Sequence, residues 1–397
     1  MFFNKRRIYL DYASATPARL EAQKAYDEGS KLVGNPGTIH AEGVAAANSL
    51  RESREMIAAE LGCKGREIIF TGGLTEANNL AILGFARRLD HQGPALMDTH
   101  WITTAIEHPS VLECFAEIER RGGTVTHLDV ASNGRIAPEK LSYALRHNTV
   151  FVSIGWANSE IGIVQKLRAL AAVIHEHEKK SDATVVFHTD AGQAPIYLAP
   201  NVHTLDVDLF SLGSGKLYGP RGIGALYVGK RADIAPIIMG GAQEQGLRAG
   251  TEAPALAAGF AAALVATSLE RRTEADNVQK LRDQLAARIE KAIPYAVTNT
   301  DLKHSLPHML NISIPDINSE YLVLALDRAG VALSTKAACS EGGVNASHVV
   351  AALIADREKT NWRSQNTLRF SLGRETTLRD IEFVARELVR ILKEMPR

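Results

Sequence analysis

The chain has 397 residues, 45% of them apolar, which is enough for one large or two moderate domains with a substantial core. Its 45 basic and 45 acidic side chains cancel, so the charge predicts neither a nucleic-acid partner nor binding to an anionic membrane. The three cysteines, Cys63, Cys114 and Cys339, lie far apart without a C-x-x-C pair, which argues against a disulfide framework or a zinc site and indicates a reducing compartment, the cytosol.

Short β-type runs alternate with helical patterns through most of the chain. Strands are predicted at residues 67–70, 101–105, 150–154, 184–187, 208–212 and 224–228. Helices are predicted at residues 75–88, 109–121 and 167–180, and a buried helix at 253–268 runs into an amphipathic stretch at 269–292. The buried helix is too short and too rich in alanine to span a bilayer. This alternation predicts an α/β domain with a mostly parallel, buried sheet.

The pattern changes after about Ala292. Strands at 310–314 and 367–371, together with helices at 319–329 and 378–393, predict a smaller α+β unit. We therefore expect a large domain at residues 15–265 and a smaller domain that joins residues 1–14 to residues 266–397.

The loops that follow predicted strands are the places to look for chemistry, because ligands of parallel α/β sheets bind beyond the carboxyl ends of the strands. In the loop Thr71-Gly-Gly-Leu-Thr-Glu-Ala-Asn-Asn79, two glycines let the backbone approach a ligand closely. Thr75 opens the next helix, whose free N–H groups suit a phosphate. An ordinary strand-to-helix turn with a threonine cap explains this loop equally well.

Three further loops place ionisable side chains near strand ends. Asp190 follows an apolar strand, where a carboxylate either caps a helix or anchors a ligand cation. Lys216 lies between glycines, either as an amine in a tight pocket or as a surface lysine of a glycine turn. Leu217 occupies the serine or threonine position of a P-loop, which argues against that motif. His108 precedes a helix-starting proline, where an isolated histidine is more often a polar cap than a catalytic group.

Nine motifs in a fixed order span nearly the whole chain: Tyr9-Leu-Asp-Tyr-Ala-Ser-Ala-Thr-Pro17, Gly34-Asn-Pro36, Phe70-Thr-Gly-Gly-Leu-Thr-Glu-Ala-Asn-Asn-Leu80, Glu107-His108, Asn158-Ser-Glu-Ile-Gly162, His188-Thr-Asp-Ala-Gly-Gln193, Lys216-Leu-Tyr-Gly-Pro-Arg-Gly-Ile-Gly224, Arg248-Ala-Gly-Thr251 and Leu368-Arg-Phe-Ser-Leu-Gly373. Together they resemble the cysteine desulfurases, in the class V aminotransferase branch of fold-type I enzymes that use pyridoxal 5′-phosphate (PLP). The motifs are highly specific for this fold and cofactor and moderately specific for the reaction.

The resemblance implies that PLP is the cofactor and that Lys216 bonds to it and later moves the substrate Cα proton. Asp190 would pair with the pyridinium nitrogen, and His108 would stack on the ring and assist proton transfer. The remaining cofactor contacts would come from Gln193, Leu74, Thr75, Ser159 and Ser214, and from Thr251 of the second subunit of a homodimer.

The resemblance also implies how the substrate is held and where its sulfur goes. Arg369 would take the carboxylate of L-cysteine, for which its planar fork is suited, and Asn35 would also contact the substrate. Cys339 aligns with the family's sulfur-accepting cysteine, in a stretch of small and polar residues that predicts an exposed, mobile loop. Its thiolate would leave with the sulfur as a persulfide for a protein acceptor, whereas Cys63 and Cys114 are interpreted as structural. The alternative for Cys339 is an incidental exposed cysteine.

The sequence departs from the family pattern around the phosphate. The family usually has a serine three places before the lysine and a histidine immediately before it, and these positions are Gly213 and Gly215 here, with Ser214 between them. Leu74 replaces an alanine, and Ser159 replaces the second asparagine of an Asn-Asn-Glu motif. Since side-chain donors are lost, these changes predict weakened rather than abolished cofactor binding.

We therefore expect a homodimeric, PLP-dependent cysteine desulfurase that converts L-cysteine to L-alanine, serving a pathway such as iron–sulfur cluster assembly or tRNA thiolation. One alternative is a relative that acts on another amino acid, such as selenocysteine or a different C–S substrate. Another is a degenerate relative that acts as a partner-binding scaffold. No metal is expected, because His175 and His177 are two residues apart on a predicted helix and point to different faces.

Overall fold

The structure is a computed structural model that describes residues 7–335, 346–354 and 362–395. Its strands are β1 (Ile8–Tyr9), β2 (Ile68–Thr71), β3 (His100–Thr104), β4 (Thr124–Leu128), β5 (Thr149–Ser153), β6 (Val186–Asp190), β7 (Leu209–Gly213), β8 (Gly224–Val228), β9 (Val297–Thr298), β10 (Met309–Ser313), β11 (Val331–Ala332) and β12 (Thr367–Ser371). Its α-helices are α1 (Leu20–Gly29), α2 (Ala41–Leu61), α3 (Leu74–Gln92), α4 (Pro109–Arg120), α5 (Pro138–Ala144), α6 (Leu167–Ser181), α7 (Val202–Leu205), α8 (Pro254–Ala292), α9 (Ser319–Ala329), α10 (His348–Ala352), α11 (Trp362–Gln365) and α12 (Leu378–Glu394).

In the part of the chain that the structure describes, seven strands form the central sheet, in the order β2-β8-β7-β6-β5-β3-β4. The strands from β7 to β4 are parallel to their neighbours, whereas β8 is antiparallel to both β7 and β2. The predicted α/β fold with a mostly parallel sheet is therefore confirmed.

Adjacent residues of the central strands face two different cores. Ile69 and Trp101 lie in the core beneath α3 and α4, whereas the next residues along the same strands, Phe70 and Ile102, lie in the larger core that includes α6 and α8. Because side chains alternate across a sheet and both faces are covered, these strands are continuous apolar runs in the sequence.

Helix α8 is a single element of 39 residues, which confirms the prediction of a buried helix that runs into an amphipathic one. Proline at its first position suits a helix start, because that residue needs no intrahelical N–H partner. The helix packs on α1 and α2 and also contacts α12. Among the described residues, no helix is long and apolar enough to cross a membrane.

The segment that follows β1 contacts both the end of β12 and the loop that follows β7. Strand β1 pairs in parallel with β11, and β10 pairs with β12 and β9 in an antiparallel sheet. Beyond β1, the N–H of Ala13 donates to Ser371 Oγ at 2.9 Å, and the N–H of Thr16 donates to the Gly215 carbonyl at 3.0 Å. The backbone around Ala13 is thus held between the end of β12 and the loop that follows β7.

Candidate active site

A cavity of about 580 Å³ lies where the parallel strands end, as ligand sites in such sheets do. This volume is in the range of small-molecule and cofactor sites. Its wall combines the loops after β2, β3, β5, β6 and β7 with β12 and the segment after β1, and the predicted residues in it are Leu74, Thr75, His108, Ser159, Asp190, Gln193, Lys216 and Arg369.

Lys216 ends a short turn after β7, and its side chain lies in the cavity. Its Nζ donates hydrogen bonds to the carbonyl oxygens of Ala13 and Ser14, at 2.7 and 2.8 Å. The Ala13 carbonyl also accepts a hydrogen bond from Gln193 Nε2 at 2.9 Å. Lys216 is therefore half-buried in a pocket, not the tip of an open surface turn.

Asp190 ends β6, and its carboxylate is fixed by two donors. Oδ2 accepts a hydrogen bond from Asn78 Nδ2 at 2.8 Å, and Oδ1 accepts one from the N–H of Gly192 at 2.8 Å. Asn78 is fully buried on α3. A carboxylate held in this way offers a cationic ligand a partner of fixed orientation.

His108 is the N-cap of α4, with its ring at the cavity wall. Its Nδ1 accepts the N–H of Ser110 at 3.1 Å, so the neutral ring carries its proton on Nε2. Burial lowers the pKa of His108, although the nearby Asp190 carboxylate acts in the opposite direction. Burial also raises the pKa of the neighbouring Glu107 to about 7. Both ionisable groups thus favour their neutral forms.

Arg369 lies on β12 with only 1% of its surface exposed. Its Nη2 donates to Asp11 Oδ1 and to Ser14 Oγ, both at 2.7 Å, and its Nη1 donates to the Ser159 carbonyl at 3.0 Å. The buried Nε has no hydrogen-bond partner within the described ranges.

At the first turn of α3, the cavity wall carries Leu74 and Thr75, and free N–H groups at a helix start favour an anion. The carboxylate of Glu76 in the same turn is paired, because it accepts from Arg248 Nε at 2.9 Å and from the N–H of Gly72 at 2.7 Å. This ion pair offsets the negative charge that would otherwise oppose an anion there.

The structure does not bring every predicted site residue to the cavity. Ser214 is fully buried and lies outside the cavity wall. A Cβ atom on Gly219 would lie 2.2 Å from its Oγ. Thr251 and Asn35 are exposed and lie outside the cavity wall. Cys339 lies outside the described residues.

The described residues before and after 336–345 form hydrogen bonds with residues of the cavity wall. Upstream, the Arg369 N–H donates to the Ser334 carbonyl at 2.7 Å. Downstream, His348 Nε2 donates to the Glu107 carbonyl at 2.9 Å. The described residues Ser334 and His348, on either side of Cys339 in the chain, are therefore hydrogen-bonded to residues of the cavity wall.

Sequence reasoning assigns no role to Asn78 or Glu107, although both belong to quoted motifs. The signal for Glu107 is an acidic residue at the end of a buried strand, directly before His108. For Asn78 the only signal is an amide on the face of α3 that is otherwise apolar.

Comparison with known proteins identifies the family. The family model "Aminotransferase class-V" matches residues 8–384. The chain is 38% identical to the cysteine desulfurase IscS of Dictyoglomus turgidum over 392 residues, which is 98% of this chain and 96% of the relative. The chain belongs to the cysteine desulfurases of the class-V aminotransferase family. The cysteine desulfurase IscS of Neisseria meningitidis serogroup C (strain FAM18) is 36% identical, over 97% of this chain and 92% of its own. A solved NifS-like protein superposes with a TM-score of 0.89 at 29% identity, covering 98% of this chain and all of its own.

Cysteine desulfurases depend on PLP, an aromatic aldehyde that carries a phosphate. The residues of the cavity fit this group. Lys216 offers an amine, Asp190 a carboxylate for the ring nitrogen, and the first turn of α3 offers N–H groups for the phosphate. Among the described residues, no cluster of side chains could hold a metal ion.

Proposed function

We propose that this chain binds PLP in the cavity and removes the sulfur of L-cysteine, releasing L-alanine. The observation that carries this proposal is the arrangement of Lys216, Asp190 and Thr75 around one cavity. Lys216 Nζ would bond the aldehyde carbon, the Asp190 carboxylate would pair with the ring nitrogen, and the N–H groups near Thr75 would hold the phosphate. Bound PLP supplies an electron sink for the electron pair released at the substrate Cα.

The chain's own groups would orient the substrate and move its protons. Arg369 lines the cavity and would receive the substrate carboxylate. Lys216 Nζ would take the Cα proton of the bound substrate. His108, a neutral ring with its proton on Nε2, would assist this transfer. Gln193 and Ser159 line the same cavity and would complete the set of contacts.

Cys339 would accept the sulfur. The C–S bond of L-cysteine breaks as an S–S bond forms with Cys339 Sγ, and the substrate Cβ takes a proton to become the methyl group of L-alanine. The thiol thereby becomes a persulfide, so no external oxidant is required. Cys339 is four positions after Thr335 in the chain, which limits the distance between their Cα atoms to about 14 Å. Thr335 follows Ser334, whose backbone is hydrogen-bonded to that of Arg369. This short connection to a residue of the cavity wall supports Cys339 as the sulfur acceptor.

We also propose a homodimer in which Thr251 contacts the phosphate in the partner's cavity. The exposure of Thr251 and its place outside its own cavity support this arrangement. The persulfide would then pass its sulfur to a protein acceptor in the cytosol. Light scattering of the purified protein should give the mass of a dimer.

Incubation with L-cysteine and PLP, followed by assays of alanine and sulfide, tests the proposal. We expect equimolar alanine and total sulfur, and no product from the Lys216→Ala variant. If the protein binds PLP but forms alanine only from L-selenocysteine, the substrate assignment is wrong. A protein that never acquires the visible absorption of bound PLP would be a scaffold and not an enzyme.

A further inference from the structure

Leu74 fills space that two glycines leave open. A Cβ atom on Gly192 would lie 2.4 Å from Leu74 Cδ2, and a Cβ atom on Gly213 would lie 2.9 Å from Leu74 Cβ. Both distances are far below the 3.4–4 Å of ordinary contact. A side chain at position 213 would meet the Cβ atom of Leu74, and one at position 192 would require the end of the Leu74 side chain to shift. The three residues therefore form one packing unit.

This packing unit lies beside the carboxylate of Asp190. Leu74 and Gly192 both line the cavity, and the N–H of Gly192 donates to Asp190 Oδ1 at 2.8 Å. Leu74 is only partly buried, so some of its apolar surface remains open to a ligand. An aromatic ring whose nitrogen pairs with Asp190 gains binding free energy from apolar surface close to that carboxylate.

We propose that Leu74 packs its isobutyl group against the PLP ring, in the space that a side chain at position 192 would otherwise occupy. This inference rests on PLP binding in the proposed function. It explains why a large residue at position 74 occurs together with glycine at both 192 and 213. Leu74 replaces the ring contact of a side chain at position 192, and it also occupies the space that a side chain at position 213 would need.

A double-mutant cycle on the full chain tests this inference through the Kd for PLP, titrated by visible absorption, and through thermal unfolding of the PLP-free protein. Leu74→Ala should raise the Kd about tenfold, because most of an apolar side chain is removed from the contact. Gly192→Ala alone should also raise the Kd and lower the unfolding temperature, because its methyl group overlaps Leu74. The double variant should bind PLP within about threefold of wild type. Leu378→Ala, also at the first position of a helix, is the matched control and should leave the Kd unchanged.

Additive losses in the double variant, or wild-type affinity in Leu74→Ala, would overturn the inference. If Gly192→Ala does not fold, Gly213→Ser provides a second cycle, and it should be tolerated only together with Leu74→Ala. Failure of the wild-type protein to bind PLP would instead overturn the proposed function, so the two failures are distinguishable.

Discussion

The side-chain amide of Asn78 donates a 2.8 Å hydrogen bond to Oδ2 of Asp190. The same nitrogen lies 2.9 Å from Ser110 Oγ, which in turn lies 2.8 Å from Nδ1 of His108. A continuous chain of hydrogen bonds thus joins the carboxylate to the histidine through the buried start of α4. Since both ends line the cavity, Asn78 fixes the position of one group relative to the other.

The variant Asn78→Ala should bind PLP about tenfold more weakly, because a hydrogen bond to a charged group is worth roughly 1.5–3 kcal/mol and part of that orients Asp190. Titration of the PLP-free protein by visible absorption measures this change. The control is Asn133→Ala, which removes another Asn–Asp hydrogen bond, of 3.3 Å to Asp301, away from the cavity wall. An unchanged Kd in Asn78→Ala would show that the N–H of Gly192 orients the carboxylate without help.

Replacement of Lys216 by alanine should abolish the covalent link to PLP that borohydride traps. Lys216 lines the cavity, and the carbonyls of Ala13 and Ser14 hold its amine there. Mass spectrometry of peptides from the reduced protein locates the link, and the exposed Lys230→Ala variant is the control. A reduced adduct on any other lysine of the wild-type protein would contradict the assignment.

Lys216, Asp190 and His108 could be located from the sequence because each lies at the end of a buried apolar strand or in the loop that follows one. Parallel strands end at one edge of their sheet, so residues far apart in the chain converge there. Asn78 could not be found in this way. It lies inside α3, and a helical pattern does not distinguish an amide that orients a carboxylate from one that packs elsewhere.

Two features show where sequence patterns stop being informative about this chain. Strand β4 is not predicted, because it lies at the edge of the sheet and only Leu128 of its residues is fully buried, so the alternating pattern is weak. The full burial of Ser214 is also unpredictable, because it follows from the turn after β7 and not from a periodic element. The coupling of Leu74 to Gly192 is visible only in three dimensions.

The variant Cys339→Ser should bind PLP and L-cysteine normally but form no persulfide. Neither described cysteine is a suitable replacement, since burial raises the pKa of both Cys63 and Cys114 to about 12 and leaves little thiolate at neutral pH. Mass spectrometry of the protein after one turnover measures the added sulfur. Cys63→Ser should retain the persulfide, and sulfide release by Cys339→Ser at the wild-type rate would show that another group accepts the sulfur.

Glu107 should make the stability of the PLP-free protein fall as the pH rises through the acidic range. Burial raises its pKa from 4.5 to about 7, although the hydroxyl of Thr104 and the N–H of Gly155 donate to its carboxylate. Between these pH values the folded protein holds a proton that the unfolded chain has released. The free energy of unfolding therefore decreases from about pH 4.5 to about pH 7 and is unaffected by this group above that range.

The variant Glu107→Gln cannot ionise, so it should escape this loss. Its free energy of unfolding relative to wild type, measured by urea denaturation, should rise by up to roughly 3 kcal/mol between pH 5 and pH 7.5 and then stay level. The exposed Glu139→Gln on α5 controls for the substitution itself and should give a constant difference across the same range. If the wild-type and Glu107→Gln curves ran parallel from pH 5 to pH 7.5, Glu107 would ionise alike in the folded and unfolded chains. Its carboxylate would then be solvated as well in the cavity wall as in water, contrary to its burial.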